Sequence, residues 1–300
     1  MTMADSNLDQ ALPPHASAAS RARYQIALDL AQRCPPALVK ECVLTGSSSR
    51  GVADESSDVE QVFYVDVMPT VEEREQWLYE AGVTELISDK EPIEDRSIWV
   101  NFRYRGIWVE AGWQTITAHE RNLQDILAGK VTDHYRLKLA EIIFHAVSLR
   151  SVGLLSRWQQ ELSHYPEILP PKIISEATEL WMFPNIIEAR YALIRRGEYL
   201  ALHERLVRDT HNVLRILFAL NRQWEPDWKW IRHATGGLTI KPERLVERIN
   251  EIFTLPELER CVTTCQKLIY DTLLLASGSY GVGRAISLIG ESLRLHSMLE

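Results

Sequence analysis

The dominant period of the apolar residues changes near residue 117, and that change constrains the fold more than any other feature. Between Ala37 and Ile116 the apolar residues fall in short alternating runs: "ALVKECVLTG", "VEQVFYVDV" and "RSIWVNFRYRGIWVEAGWQTI". Runs of this length, rich in branched and aromatic residues and bounded by turn residues, predict strands. From Thr117 onward the spacing becomes three and four residues, as in "ITAHERNLQDILAG", "YRLKLAEIIFHAVSL" and "GLLSRWQQELSHY". That spacing predicts amphipathic helices. It continues through "IISEATELWMFPNIIEARYALIRRG", "YLALHERLVRDTHNVLRILFALNRQ", "KPERLVERINEIF" and "LPELERCVTTCQKLIYDTLLLASG". No fixed-period repeat occurs, so a solenoid is not expected.

The reading is therefore α+β, with a loose tail at 1–18, a mixed sheet-and-helix domain at 19–130 and an all-helical domain at 131–300. The helices within 133–165 are compatible with either side of that boundary. Two helices precede the change of period. Ala18 to Arg33 has helical spacing and stops at the Pro35–Pro36 pair. "TVEEREQWLYEAG" has Thr70 as N-cap, acids in its first turn and Gly82 at its end.

The bulk numbers exclude several classes. Apolar residues make up 46% of 300 positions, enough for a sizeable core. A net charge of −8 lacks the basic footprint of a nonspecific nucleic-acid binder. No run of about 18 apolar residues occurs, and the N-terminus lacks a charged region followed by an apolar one. The expectation is a cytoplasmic protein with no membrane partner. Cys34, Cys42, Cys261 and Cys265 form no C-x-x-C pair, and read as buried thiols.

Chemistry concentrates in "VLTGSSSRGVADESSDVEQVFYVD". Gly46 and Ser47 end one strand, and ten residues separate Ser47 from Asp58 in a G-S-x10-D-x-E pattern. A glycine and a serine at such a turn can offer backbone N–H groups and a hydroxyl to phosphate oxygens. Asp58 and Glu60 lie two apart, on one face of the following strand, where like charges repel unless a cation lies between them. Mg²⁺ suits this, taking a few carboxylates and filling its remaining positions with water and phosphate oxygens. The chemistry implied is phosphoryl or nucleotidyl transfer.

The stretch "GSSSRGVADESSDVE" resembles the signature of the polymerase-β-type nucleotidyltransferases. It is similar above all to that of small bacterial aminoglycoside and lincosamide adenylyltransferases and their uncharacterised two-domain relatives. The resemblance is specific over residues 40–67 and weaker through "GIWVEAGWQTI", "LSHYPEILP" and "LFALNRQWEPDWKW". It implies a nucleotidyltransferase-like mixed sheet with flanking helices and a third carboxylate on a later strand. Glu110 is the candidate for that carboxylate here, as a further metal ligand or as general base.

The resemblance thus names Asp58, Glu60 and Glu110 as catalytic and metal-holding residues. Gly46, Ser47 and Arg50 would contact the nucleotide. Trp228 and Trp230 are candidates for an acceptor or adenine pocket, with Lys229 reaching a phosphate. The implied activity is Mg²⁺-dependent transfer of AMP from ATP to a hydroxyl of a small acceptor, such as an aminoglycoside-like compound. The alternatives are a catalytically altered nucleotide-binding or antitoxin-like module, or adenylylation of a macromolecule. A further alternative, a helical ribonuclease, rests only on the spacing of Arg205 and His211.

Overall fold

A computed structural model describes residues 11–92 and 97–297. The fold is α+β: six strands in one mixed sheet, helices packed on it, and a helical remainder. The described residues divide into two compact units, one made of those within 1–130 and 139–164, the other of those within 131–138 and 165–300.

The first unit opens with helix α1 (Ala18–Arg33), whose N-cap Ser17 accepts from the Ser20 N–H. Strand β1 (Glu41–Leu44) leads into the one-turn helix α2 (Gly46–Ser49), and β2 (Val59–Val65) returns antiparallel to β1. Helix α3 (Val71–Ala81) has Thr70 as its N-cap, as expected, and the structure adds a capping box, Thr70 and Glu73 each satisfying the other's backbone N–H. Strands β3 (Thr84–Ser88), β4 (Ile98–Tyr104) and β5 (Ile107–Thr115) follow, with β4 and β5 turning at Arg105–Gly106. Helices α4 (Ile116–Leu127) and α5 (His134–Phe144), strand β6 (Val147–Arg150) and helix α6 (Leu154–Leu162) come next. The division between the units falls inside α5. The strand order is β3-β4-β5-β2-β1-β6, and β2 with β5 is the parallel pair.

Strand alternation separates the two faces of this sheet. Val59, Phe63 and Val65 of β2, Val109, Ala111 and Trp113 of β5, and Val100 and Phe102 of β4 join one core cluster with Ala27 and Leu30 of α1 and Trp77 and Leu78 of α3. Phe63 stacks on Trp113 at 4.7 Å and meets Trp77 edge-on at 5.8 Å. Burying each such ring stabilises the unit by roughly 1.5–3 kcal/mol. The residues between them in sequence, Glu60, Val62, Tyr64, Glu110, Gly112 and Gln114, belong to the opposite face.

In the second unit, α7 (Leu169–Thr178) runs into a 3-10 turn (Glu179–Met182), followed by α8 (Pro184–Arg196) and α9 (Tyr199–Leu220). A 3-10 turn (Trp228–Trp230) and the short α10 (Ile231–Ala234) precede α11 (Leu245–Thr254), α12 (Leu258–Ala276) and α13 (Gly283–Ser297). Helix α9 packs against α7 and α12, and α12 against α11 and α13. A buried network ties three elements: Asp209 accepts from Trp181 Nε1 at 2.9 Å and from Arg190 Nε at 2.7 Å.

Three expectations need correction. The segment 131–300 is not all helical, because the helix through "YRLKLAEIIFHAVSL" ends at Phe144 and residues 147–150 pair with β1. Four residues carry too little period to register as a strand without the neighbour that completes their hydrogen bonds. The run "IISEATELWMFPNIIEAR" is two helices, since Pro184 has no N–H to continue the first and instead opens the second. Of the supposed tail, residues 1–10 lie outside the described residues, whereas Leu12 is buried in the core cluster and the Ser17 N–H donates to Gly51 O at 3.0 Å. All four cysteines are buried free thiols, and burial raises the pKa of each. Among the described residues no helix is long and apolar enough to cross a membrane.

Candidate active site

The register of the sheet brings the conspicuous acids together. In the parallel pair β2–β5, Glu60 is the direct partner of Glu110, and across β4–β5 Glu110 is the partner of Asn101. Asn101, Glu110 and Glu60 thus form one row across β4, β5 and β2, and Thr45, the residue after β1, extends it by donating its N–H to Glu60 O at 2.8 Å. Neighbouring strands lie about 4.8 Å apart. Two carboxylates are therefore held side by side on one face.

The Gly46–Ser47 turn closes on this row. Gly46 has φ +68°, and a Cβ built on it would lie 2.5 Å from Glu60 Oε1. Glycine alone meets both the left-handed backbone and the close carboxylate without strain. Gly51 is subject to the same double constraint: its φ is +78°, and a Cβ would meet Ala16 Cα at 2.9 Å. Ser48 Oγ, buried beside Gly46 in α2, has no hydrogen-bond partner.

The loop between the turn and β2 is fixed from α1. Ser17 Oγ donates to Ala53 O at 2.6 Å, and the Ala53 N–H donates to Ser20 Oγ at 3.0 Å. Arg23, buried on the same helix, donates from Nε to Ser57 O at 2.7 Å and from its guanidinium to Glu55 O at 3.0 Å. Asp54 Oδ1 accepts from the Ser56 N–H at 2.9 Å and from Ser57 Oγ at 3.0 Å. Ser17, Ser20 and Arg23 recur every third residue, a polar stripe on one helix face. That polar stripe is the sequence signal for these residues, which lie outside the G-S-x10-D-x-E pattern.

Asp58 differs from its expected placement. Strand β2 begins at Val59, so Asp58 stands outside the strand and strand alternation does not set its direction. Among the described residues no three Asp, Glu, His or Cys side chains come together as a metal-holding group. Asp58, Glu60 and Glu110 thus do not form the closed three-carboxylate set that the sequence suggested. What the register fixes is the Glu60–Glu110 pair. A carboxylate pair of this kind, beside a glycine turn with an orphaned serine hydroxyl, fits a hard cation that brings phosphate and water ligands with it.

Arg50 is already engaged. Its guanidinium forms a two-pronged ion pair with Glu141 of α5, with Nε to Oε1 at 2.8 Å and the second prong to Oε2. Planar, two-pronged pairing is the geometry in which an arginine is held most firmly. In this conformation Arg50 ties the turn to α5, and its fork is not presented to a phosphate.

Lys229 belongs to the helical unit and is exposed on the turn containing Trp228 and Trp230. Trp228 stacks on His134 at 4.7 Å, and His134 Nδ1 lies 3.0 Å from the buried Glu225. His211 lies 6.0 Å from Trp228, ring to ring. Burial and the neighbouring His134 lower its pKa.

Three comparisons with known proteins complete the description. Residues 135–231 match a family profile described as a domain of unknown function, DUF4037. No curated protein matches the chain. Among solved structures, the chain is similar to a nucleotidyltransferase-like protein from Exiguobacterium sibiricum 255-15. That protein is 12% identical, with 92% of this chain and 79% of that chain covered, at a TM-score of 0.38. A likeness at that level carries no argument about chemistry.

Proposed function

We propose that this protein is a Mg²⁺-dependent nucleotidyltransferase that moves AMP from ATP to a hydroxyl of a small-molecule acceptor. The observation that carries the reading is the convergence of the Gly46–Ser47 turn, through Gly46, on the Glu60 member of the in-register Glu60–Glu110 pair. Glu60 and Asp58 would hold Mg²⁺, which would supply charge neutralisation for the triphosphate; the turn at Gly46 and Ser47 would receive phosphate oxygens. Glu110 takes the proton from the acceptor hydroxyl, whose oxygen attacks the α-phosphorus. The bond from that phosphorus to the bridging oxygen breaks, and pyrophosphate leaves with the electron pair. Arg50 serves this site as a strut for the turn.

The test is transfer from labelled ATP with Mg²⁺ across acceptor panels, comparing wild type with Asp58→Ala and Glu60→Ala. Loss of transfer with either substitution supports the reading, and equal transfer by all three proteins overturns it. Calorimetry separates the alternative: tight Mg²⁺-dependent ATP binding with no turnover on any acceptor identifies a nucleotide-binding module.

A further inference from the structure

The face of the sheet that carries Glu60 also lines a cavity of about 60 Å³. Val62 and Gly112 contribute from the strands, Leu123, Leu139 and Ile142 from helices α4 and α5, and Trp99 from β4. The Trp99 ring is held in place: its indole N–H donates to Ser97 Oγ at 3.0 Å, and a Cβ on Gly112 would come within 3.2 Å of the ring. The absence of a side chain at residue 112 is what lets the ring lie there.

One polar group in this apolar wall is unsatisfied. His119 of α4 lines the cavity, is 4% exposed, and has Nδ1 at 3.1 Å from Gln114 Oε1. An amide oxygen only accepts, so Nδ1 carries the proton and Nε2 is a bare acceptor. Nε2 is buried with no partner. Burial keeps the ring neutral, with its pKa pushed down to about 3. An orphaned buried acceptor is costly, and a donor supplied by a ligand would remove that cost.

We propose that this cavity binds a small, uncharged, mainly apolar molecule or group bearing one hydroxyl, which donates to His119 Nε2 while the alkyl body packs between Trp99 and Ile142. Size is limited. A cavity of about 150 Å³ accommodates benzene, so this one, at about 60 Å³, suits a short alkyl group of about two or three heavy atoms. Glu60 lines the same cavity, which makes the ligand the apolar arm of the acceptor. That last step rests on the transferase reading, whereas the binding itself does not.

Ethanol and its hydrocarbon isostere propane are suitable probes, titrated by NMR against the full-length protein without nucleotide. Saturable binding of both is expected. His119→Leu should weaken ethanol by roughly tenfold, the worth of one hydrogen bond, and leave propane no weaker. Ile142→Trp, at a partly exposed position, should abolish binding of both while leaving Mg²⁺–ATP binding unchanged. It keeps the test decisive if His119→Leu folds poorly. Failure of the folded wild type to bind either probe overturns the proposal, as does equal weakening of both by His119→Leu. Because the titration contains no nucleotide, its failure is distinguishable from a failure of ATP-dependent transfer.

Discussion

Gly46→Ala adds a single methyl group where the turn meets the acid, and its cost separates into two parts. The first is backbone: with φ at +68°, a residue bearing a Cβ pays about 1–2 kcal/mol. The second is steric. The new Cβ would sit 2.5 Å from Glu60 Oε1 and 2.7 Å from Glu60 Cδ, where ordinary contact begins at 3.4 Å. The obstructing group is the end of a flexible side chain, so it yields by leaving its rotamer, at about 0.5–1.5 kcal/mol. Gly46→Ala should therefore destabilise the protein by about 1.5–3.5 kcal/mol. In a Glu60→Ala background only the backbone part persists, about 1–2 kcal/mol, leaving a coupling of about 1 kcal/mol between the two positions. Urea unfolding of the wild type, both single variants and the double variant measures this. An equal cost of Gly46→Ala with and without Glu60, within about 0.3 kcal/mol, would refute the placement of the turn against the carboxylate.

Three further outcomes follow from the same geometry. Arg23→Met removes the donors to Glu55 O and Ser57 O, so amide exchange across 54–58 should quicken and Mg²⁺–ATP affinity should fall by roughly tenfold; unchanged exchange would show that Arg23 does not hold this loop. His119 has a folded pKa of about 3 against an ordinary value of 6.5, so the unfolded chain takes up a proton that the folded chain refuses. Its contribution to stability is thus full above pH 6.5 and lost as pH falls from there toward 3; His119→Gln should flatten that part of the profile in urea midpoints between pH 4 and 7. Asp209→Ala leaves Arg190, with a side chain 1% exposed, charged and unpaired. The expected cost is about 3–5 kcal/mol, and Arg190→Met combined with Asp209→Leu should recover most of it; strict additivity of the two substitutions would show that the charges are not coupled.

The sequence specified the elements wherever local chemistry was strong. Thr70 with Glu73 and Gly82 marked α3, alternation marked β2, β4 and β5, and the change of period near residue 117 marked the class. It failed where local chemistry was weak or overruled. Val147–Arg150 is a strand because β1 offers it an edge. Leu12 is buried because Gly51 leaves the backbone near Ala16 room to approach.

The candidate site divides in the same way. Glycine, serine and acids at fixed spacing are properties of the chain, and they identified Gly46, Ser47, Asp58, Glu60 and Glu110 as the residues to examine. Which of them meet is a property of the sheet. Glu60 and Glu110 are 50 positions apart in the chain and become neighbours only through the parallel register of β2 and β5. Asp58 falls outside the strand whose alternation was to align it, and Arg50 finds Glu141 at a separation of 91 residues. The neutral His119 and the cavity it lines depend on burial by distant segments. Spacing along the chain fixes which chemistry is available, but contacts between remote segments fix its geometry and charge state, because burial and register are created only when the chain packs.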